Sequence, residues 1–364
     1  MIRRNFVLGA AALAAAAPTL VACSSSANHE EIARNLRRPG DVNAGDRAQL
    51  LRELVRYATL APSSHNTQCW TFGLQGDLIA IAADLSRRCP VVDPDDHHLF
   101  VSLGCATENL VHAALANGLQ ANVKFDATGA GAVSVSLDTT KAIISPMFQA
   151  IAERQCTRGD YDGQALSVDE LRLLEKVGSG NGVRVVLLTE RSAMEKVLEY
   201  VVSGNTAQLN DPAFVEELKA WIRFSHDEAV NAGDGLFSGA TGNPAMPRWL
   251  GSRMMDLFLT PKSENERYAK QIRSSAGLAV FVSDVSDKAH WVEAGRCYER
   301  FALQATALGI RNAFLNQAVE VASIRPQFAA ALGLGERRPD LVVRFGRGST
   351  LPWSMRRPVQ SVLA

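Results

Sequence analysis

The sequence predicts an α+β fold built as a pseudo-dimer of two similar halves, layered α/β/α around mixed, mainly antiparallel sheets. Three observations lead there. First, GCATENLVHAALANGL from Gly104 and GRCYERFALQATALGI from Gly295 align without gaps, sharing Gly104/Gly295, Glu108/Glu299, Ala114/Ala305, Ala116/Ala307 and Gly118/Gly309. Second, an alternating or apolar strand precedes each of these helices, DLIAIAAD (Asp77–Asp84) and GLAVFVSD (Gly277–Asp284), so strand and helix recur in one order. Third, 364 residues with 47% hydrophobic content supply the bulk of about two domains. Small side chains on both repeated helices permit close approach, so the two helices are expected to pack together.

Each element then follows. In the first half, 44–140, the pattern predicts a helix over Arg47–Leu60, a hairpin over Gln68–Asp84, a long helix over Phe100–Asn117 and strands to Leu137. The second half, 141–364, reads as helices at Pro146–Arg154 and Val168–Val177, a strand at Val183–Thr189, and helices to about Ser225. After a Gly-rich loop and more helix come the repeated strand and helix, a last strand Leu341–Phe345 and an extended tail. The stretch 210–250 has apolar Phe214, Leu218, Trp221 and Ile222 at helical spacing, followed by a glycine-rich run, and suits a lid-like insertion.

Lys+Arg and Asp+Glu both number 38, and no basic stripe stands out, which excludes the electrostatic footprint of a nucleic-acid binder. Residues 1–22 read as an export signal: Arg3-Arg4 opens a charged region, and the Ala-rich stretch from Val7 to Ala22 is too short, with Pro18 inside, for a permanent membrane span. The segment ends Leu20-Val21-Ala22-Cys23, which resembles a bacterial lipobox and implies lipidation at Cys23, with a periplasmic or cell-envelope location by the twin-arginine route and membrane contact by lipid anchor only. An ordinary secretory signal, with Cys23 incidental, is the competing reading. Residues 23–43 are polar and read as a tether. Five further cysteines with no CxxC pair imply neither a disulfide framework nor a zinc site.

Three separated segments carry polar side chains of interest. Ala61-Pro62-Ser63-Ser64-His65-Asn66-Thr67-Gln68-Cys69-Trp70 lies between helix and strand, where a capping turn would suffice to explain it. Arg154-Gln155-Cys156-Thr157-Arg158 closes a helix, where cations suit the macrodipole. Arg356-Arg357-Pro358 lies in the tail, where basic residues are ordinarily solvated.

Taken together, the three segments resemble the nitroreductase family, whose Ser-Ser-x-Asn-x-Gln-x-Trp loop, Arg-rich segment and C-terminal arginine border its FMN. The run Arg88-Cys89-Pro90-Val91-Val92-Asp93-Pro94, Ser102-Leu103-Gly104 and Asn316-Gln317-Ala318-Val319-Glu320 are similar to the Acg-like twin-domain branch. The resemblance implies one FMN between the halves, since the loop occurs only in the first half and the arginine segment only in the second. By match of position, Arg154, Arg356 and Arg357 would hold the phosphate, Arg158 the pyrimidine edge, and Ser63, Ser64, Asn66 and Gln68 the remaining polar groups. Gln317 would bring its backbone N–H near the hydride-accepting N5, its side chain being secondary. Cys156 stands where the family has a hydroxyl residue and Cys69 where it has proline, so the phosphate cradle would lean on Thr157 and backbone N–H groups.

Asp93, Asp95, Asp96, His97 and His98 offer ligand-type side chains but immediately precede a helix, where acidic caps are expected, so no metal is assigned. Gly178, Gly180 and Gly182 lead into a strand and read as a turn. The implied activity is an FMN oxidoreductase taking hydride from NAD(P)H and reducing a small nitroaromatic or quinone-type acceptor, as a monomeric pseudo-dimer or a homodimer. The readings beside it are a flavin-sequestering protein with a lid, and a lipid-tethered scaffold whose site has decayed.

Overall fold

The computed structural model describes residues 26–40 and 46–364; the expected export signal, Cys23 and part of the expected tether lie outside the described residues. Within that tether, residues 26–36 form a helix, α1, whereas the sequence predicts polar linker. His29, Ala33 and Arg37 are buried and Ile32 and Leu36 half-buried, an i, i+3, i+4 stripe. One turn of apolar contacts per face is faint in sequence, and here tertiary packing supplies the helix's stability.

The first half runs α2 (Arg47–Thr59), β1 (Trp70–Gln75), β2 (Leu78–Ala83), α3 (His97–Ala116), β3 (Leu119–Asp126) and β4 (Ala132–Thr139). Asp46 caps α2 by accepting from the Gln49 N–H, and both Asp93 oxygens cap α3 by accepting from the N–H groups of His98 and Leu99. The second half runs α4 (Pro146–Ala150), α5 (Val168–Val177), β5 (Val183–Leu188), α6 (Arg191–Leu209), α7 (Pro212–Trp221), β6 (Ile222–Arg223), α8 (His226–Ala232), β7 (Leu236–Phe237), α9 (Arg248–Phe258) and α10 (Pro261–Arg273). It ends with β8 (Gly277–Ser283), α11 (Lys288–Ala307), β9 (Arg311–Phe314), α12 (Gln317–Glu320), α13 (Arg325–Ala331) and β10 (Pro339–Gly346).

Two four-stranded sheets result, in orders β1-β2-β4-β3 and β5-β8-β10-β9, antiparallel throughout. The orders are the same topology: an edge strand, a strand leading into the long helix, and two strands after it. The internal repeat is therefore a repeat of chain path, with α3 equivalent to α11. It also locates the insertion. In the first half a tight turn through Gly76, at φ 57°, joins β1 to β2, whereas in the second half α6 to α10 occupy that same connection between β5 and β8. The insertion is thus longer than the predicted 210–250.

Burial follows layering. Strand β2 alternates buried and half-buried residues, as a sheet covered on one face must, whereas β8 is buried along its whole length. Ala279 and Phe281 face the core under α11, while Leu278, Val280 and Val282 face a second core with Met194, Val197 and Val201 of α6.

The halves meet along α3 and α11. A Cβ built on Gly104 would lie 1.9 Å from the Val292 carbonyl oxygen, and one on Gly295 would lie 1.9 Å from that of Val101, a reciprocal contact that only two glycines permit. The tail then crosses back: the Phe72 N–H donates to Val362 O at 2.7 Å and the Ala364 N–H to Phe72 O at 2.9 Å, so the C-terminus of the second half extends the first sheet.

Replacing Gly104 or Gly295 by Ala should destabilise the fold. Overpacking against a backbone oxygen costs about 1–3 kcal/mol, more than the roughly 1 kcal/mol by which Ala favours a helix over Gly. Denaturant titration checks this, with a lowered midpoint expected for either variant.

Candidate functional site

A cavity of about 500 Å³ lies between the halves, within the size range of small-molecule sites. The first half contributes the loop Pro62–His65 and the start of α3; the second contributes Arg158, Phe314, Gln317, Leu341 and Arg344; the insertion contributes apolar side chains including Phe214, Phe224, Met254 and Phe258.

The loop is conformationally strained. His65, Asn66 and Gln68 all have positive φ, 48°, 54° and 54°, which L-residues avoid, so surrounding contacts must hold them. Those contacts are visible. The Ser63 hydroxyl accepts from the Gln68 N–H at 2.8 Å; Asn66 Nδ2 donates to Gly235 O and Met355 O; Gln68 Nε2 donates to Gly233 O, and its Oε1 accepts from the Arg357 N–H. Loop, insertion and tail are therefore locked at one junction, and the lock turns Ser63, Ser64 and His65 to the cavity.

Of the residues singled out from sequence, Ser63, Ser64, Arg158 and Gln317 line the cavity. Asn66, Gln68, Arg154, Cys156, Thr157, Arg356 and Arg357 stand outside its lining. Arg154 donates to Leu60 O at 2.9 Å and pairs with Glu299 at 3.0 Å, its guanidinium also lying 3.9 Å from the Cys156 thiol. Arg356 donates to the carbonyls of Thr59, Leu60 and Ala61 and to Asn66 Oδ1. Arg357 donates to the carbonyls of Gln68 and Ser361. Thr157 is buried, its N–H donating to Asn312 O at 2.9 Å.

Behind the Ser63 wall three guanidiniums gather. Arg37, arriving on α1 and donating to Ser354 O, stands within electrostatic range of Arg154 and Arg356, and all three are buried. Burial, with Arg154 next in weight, lowers Arg356 to about 9. Glu299 is the buried carboxylate paired with this cluster; burial pushes it up to about 7, against the pull of Arg154 and Arg356. Such an excess of buried positive charge is the environment an anion relieves.

Arg158 differs from these. It lines the cavity half-buried, and its guanidinium has no hydrogen bond or ion pair among the described residues, while Gln271 holds its backbone carbonyl at 2.6 Å. Nearby Arg344, wholly buried, is committed to the carbonyls of Thr157 and Gly159 and stacks on Tyr161. Four further polar atoms of cavity-lining residues are buried without a hydrogen-bond partner, His65 Nε2, Arg267 Nε, Gln317 Oε1 and Arg344 Nε.

Sequence reasoning passed over Arg37, Glu299 as a charge partner, and Arg344. Arg344 left a signal, a lone cation inside the apolar strand Leu-Val-Val-Arg-Phe; Arg37 left none, because it works through a helix that the sequence barely marks.

No family model matches the chain. It is 22% identical over 325 residues to a Mycobacterium tuberculosis H37Rv protein whose name assigns it as an NAD(P)H nitroreductase, covering 87% of this chain and 91% of that one. The counterpart from strain CDC 1551 matches to the same extent. Among solved structures, a nitroreductase with bound FMN from Desulfitobacterium hafniense has a TM-score of 0.36 at 17% identity, covering 59% of this chain and 94% of that chain. An FMN-dependent nitroreductase from Mycobacterium smegmatis, in complex with NADPH, has a TM-score of 0.37 at 13% identity, covering 56% and 88%. Over most of its length, the chain is similar in sequence to proteins named as nitroreductases.

Proposed function

We propose that the protein is an FMN-dependent, nitroreductase-like oxidoreductase of the twin-domain type, using NAD(P)H to reduce nitroaromatic or quinone-type acceptors, and that it is exported and lipid-anchored through Cys23. The observation that carries the enzymatic reading is the unpaired guanidinium of Arg158 in an apolar cavity between the halves. A cation left free in such a place is matched by a ligand that carries or develops negative charge. The names of the full-length relatives support the same reading.

The residues fit FMN on two counts. The cavity offers apolar side chains beside polar ones, the orphaned Gln317 Oε1 and His65 Nε2 and the unpaired Arg158 among them and Glu264 and Glu320 as its acids, and the Arg37, Arg154 and Arg356 cluster lies behind the loop that borders it. Bound there, FMN would supply a two-electron carrier that accepts hydride at N5. Arg158 would stabilise the negative charge that reduction places on the pyrimidine edge, and Ser63 and Ser64 would orient the ring by hydrogen bonds. Arg154 and Arg356 would exchange part of their carbonyl contacts for phosphate, with Arg37 adding charge from α1. Asn66, Gln68 and Arg357 would position this machinery through the junction described above, and Cys156 and Thr157 through the pairing of their backbone with Asn312.

The protonation state of His65 is set by the fold. Burial, with Arg158 next in weight, lowers its pKa from 6.5 to about 4, so it presents a neutral imidazole to the cavity at neutral pH.

A second reading, a flavin holder with slow turnover, has its own observation in the insertion's attachment to the first half. Glu217 on α7 accepts from the N–H groups of Val91 and Val92, and Asp234 pairs with Arg223 of the insertion and Arg87 of the first half. The roof is thus fastened at both sides.

Four outcomes are expected. Purified protein should release close to one FMN per chain on heating, since there is one loop and one arginine segment to hold it. Arg158→Ala should lower flavin affinity at least tenfold, the loss of a charge-assisted contact of about 1.5–3 kcal/mol, measured by fluorescence titration. Asp234→Asn should speed flavin release in a dilution experiment by loosening the roof. The depressed His65 pKa gives stability that is present above 6.5 and lost as pH falls towards 4; His65→Gln should therefore lose less Tm than the parent across that window.

A further inference from the structure

The insertion leaves one apolar surface uncovered. On α9, Trp249, Leu257 and Phe258 are 68%, 69% and 62% exposed, with Leu250 and Met254 also exposed. They form two ridges at four-residue spacing, Trp249-Arg253-Leu257 and Leu250-Met254-Phe258. Arg253 stands exposed within the first ridge with no ion pair or hydrogen bond among the described residues. The opposite face is spoken for, Gly251 lying against the Phe224 ring, and the flank of the first ridge carries two ion pairs, Arg248 with Glu228 of α8 and the exposed Asp256 with Lys219 of α7 at 2.5 Å. A helix fastened on one face, showing aromatic and aliphatic side chains with an unpaired arginine on the other, has the make-up of an interfacial membrane helix.

That helix packs close to α1, the first described element after the expected lipid anchor. Cys23 precedes the first residue of α1 by three positions, a reach of at most about 10 Å. On α1, His29 stacks edge-on with His226 of α8 at 5.3 Å and packs on Phe237. Two residues beyond His226, Glu228 holds Arg248 at the start of α9. The helix that follows the expected anchor in the chain and the apolar ridges are therefore linked through one α1–α8–α9 stack. The second ridge also runs inward, since Met254 and Phe258 line the cavity.

We propose that α9 seats on an anionic lipid surface, with Arg253 at the phosphate level, and that the cavity takes its acceptor from the lipid phase, a quinone with a long apolar tail. This deepens the oxidoreductase reading and rests on it. The balance is a two-electron, two-proton reduction of quinone to quinol, with NAD(P)H giving the hydride and solvent the second proton. Lipidation at Cys23 would raise the local concentration of α9 at the bilayer, and α9 would fix the orientation that a single point of attachment leaves open.

The test uses the FMN-loaded full chain carrying Cys23→Ser, so that α9 rather than lipid is measured. It should float with vesicles containing phosphatidylglycerol and far less with vesicles of phosphatidylcholine alone. Adding Trp249→Ser and Leu257→Ser, both outside the cavity lining, should lower vesicle affinity at least tenfold while circular dichroism and FMN content stay unchanged. With a long-chain quinone dissolved in the vesicles, that variant should oxidise NAD(P)H at least tenfold more slowly, and with a short water-soluble quinone at the parent rate. Vesicle binding that is absent from Cys23→Ser, or untouched by the two substitutions, overturns the proposal. So does a concentration-dependent dimer that the substitutions dissolve, which would show a second copy covering the ridges. If neither quinone supports NAD(P)H oxidation by either protein, the oxidoreductase reading fails, while flotation still decides whether α9 meets lipid.

Discussion

The contact on which the molecule depends is the reciprocal seating of Gly104 on the Val292 carbonyl and Gly295 on that of Val101. Side chains at these two positions would push α3 and α11 apart, and everything between the halves is set by that spacing. Charges across the same helices reinforce it: Glu108 on α3 accepts from Arg296 and Arg300 on α11, and Glu299 on α11 meets Arg154 from the segment after α4. The two glutamates are equivalent in the repeat, yet one sits in a partly solvated network while the other is wholly buried. Symmetry of path has been kept and symmetry of charge given up. The wholly buried glutamate, Glu299, is the one paired with the buried Arg154.

How much of this could be read in the sequence depends on how local the determinant is. The repeated helices and the strands before them were legible because a helix–sheet unit carries its own hydrophobic period. The equivalence of Gly104 and Gly295 was legible as an alignment, but their contact was not, since no single-chain pattern says which oxygen a glycine faces. The tail was read as extended and basic, and it is; that it returns to pair with β1 depends on backbone hydrogen bonds over nearly 300 residues of separation, which leave no trace in composition. At the site, the loop and Arg158 were legible from motif resemblance. The destinations of Arg154 and Arg356 were not, because a guanidinium satisfies a helix's terminal carbonyls as readily as a phosphate.

That double competence explains the Arg cluster. Arg154 and Arg356 converge on Leu60 O at the end of α2, immediately before the strained loop. The same groups that finish the helix also set the angle at which the loop departs, and the positive φ values of His65, Asn66 and Gln68 persist because helix end, insertion and tail all hold them. On the proposed reading, cofactor affinity and loop geometry would be coupled through shared guanidiniums. An anion arriving at the cluster would draw donors away from the α2 carbonyls, so its binding energy would be reduced by the cost of loosening that helix end.

The insertion follows from topology. Both halves need a connection between their first two strands, and in the first half a two-residue turn suffices. In the second half the equivalent connection lies beside the cavity, so additional chain placed there must grow over the opening. It does so as helices fastened to the far side by Glu217 and Asp234, which gives the cavity a roof tied to both halves. A roof built at a hairpin position has one further property: its outer face has no sheet or partner helix to cover it. On α9 the second ridge turns inward, Met254 and Phe258 lining the cavity, whereas Trp249 and Leu257 of the first stand exposed outside that lining, and it is this first ridge on which the proposed lipid contact rests.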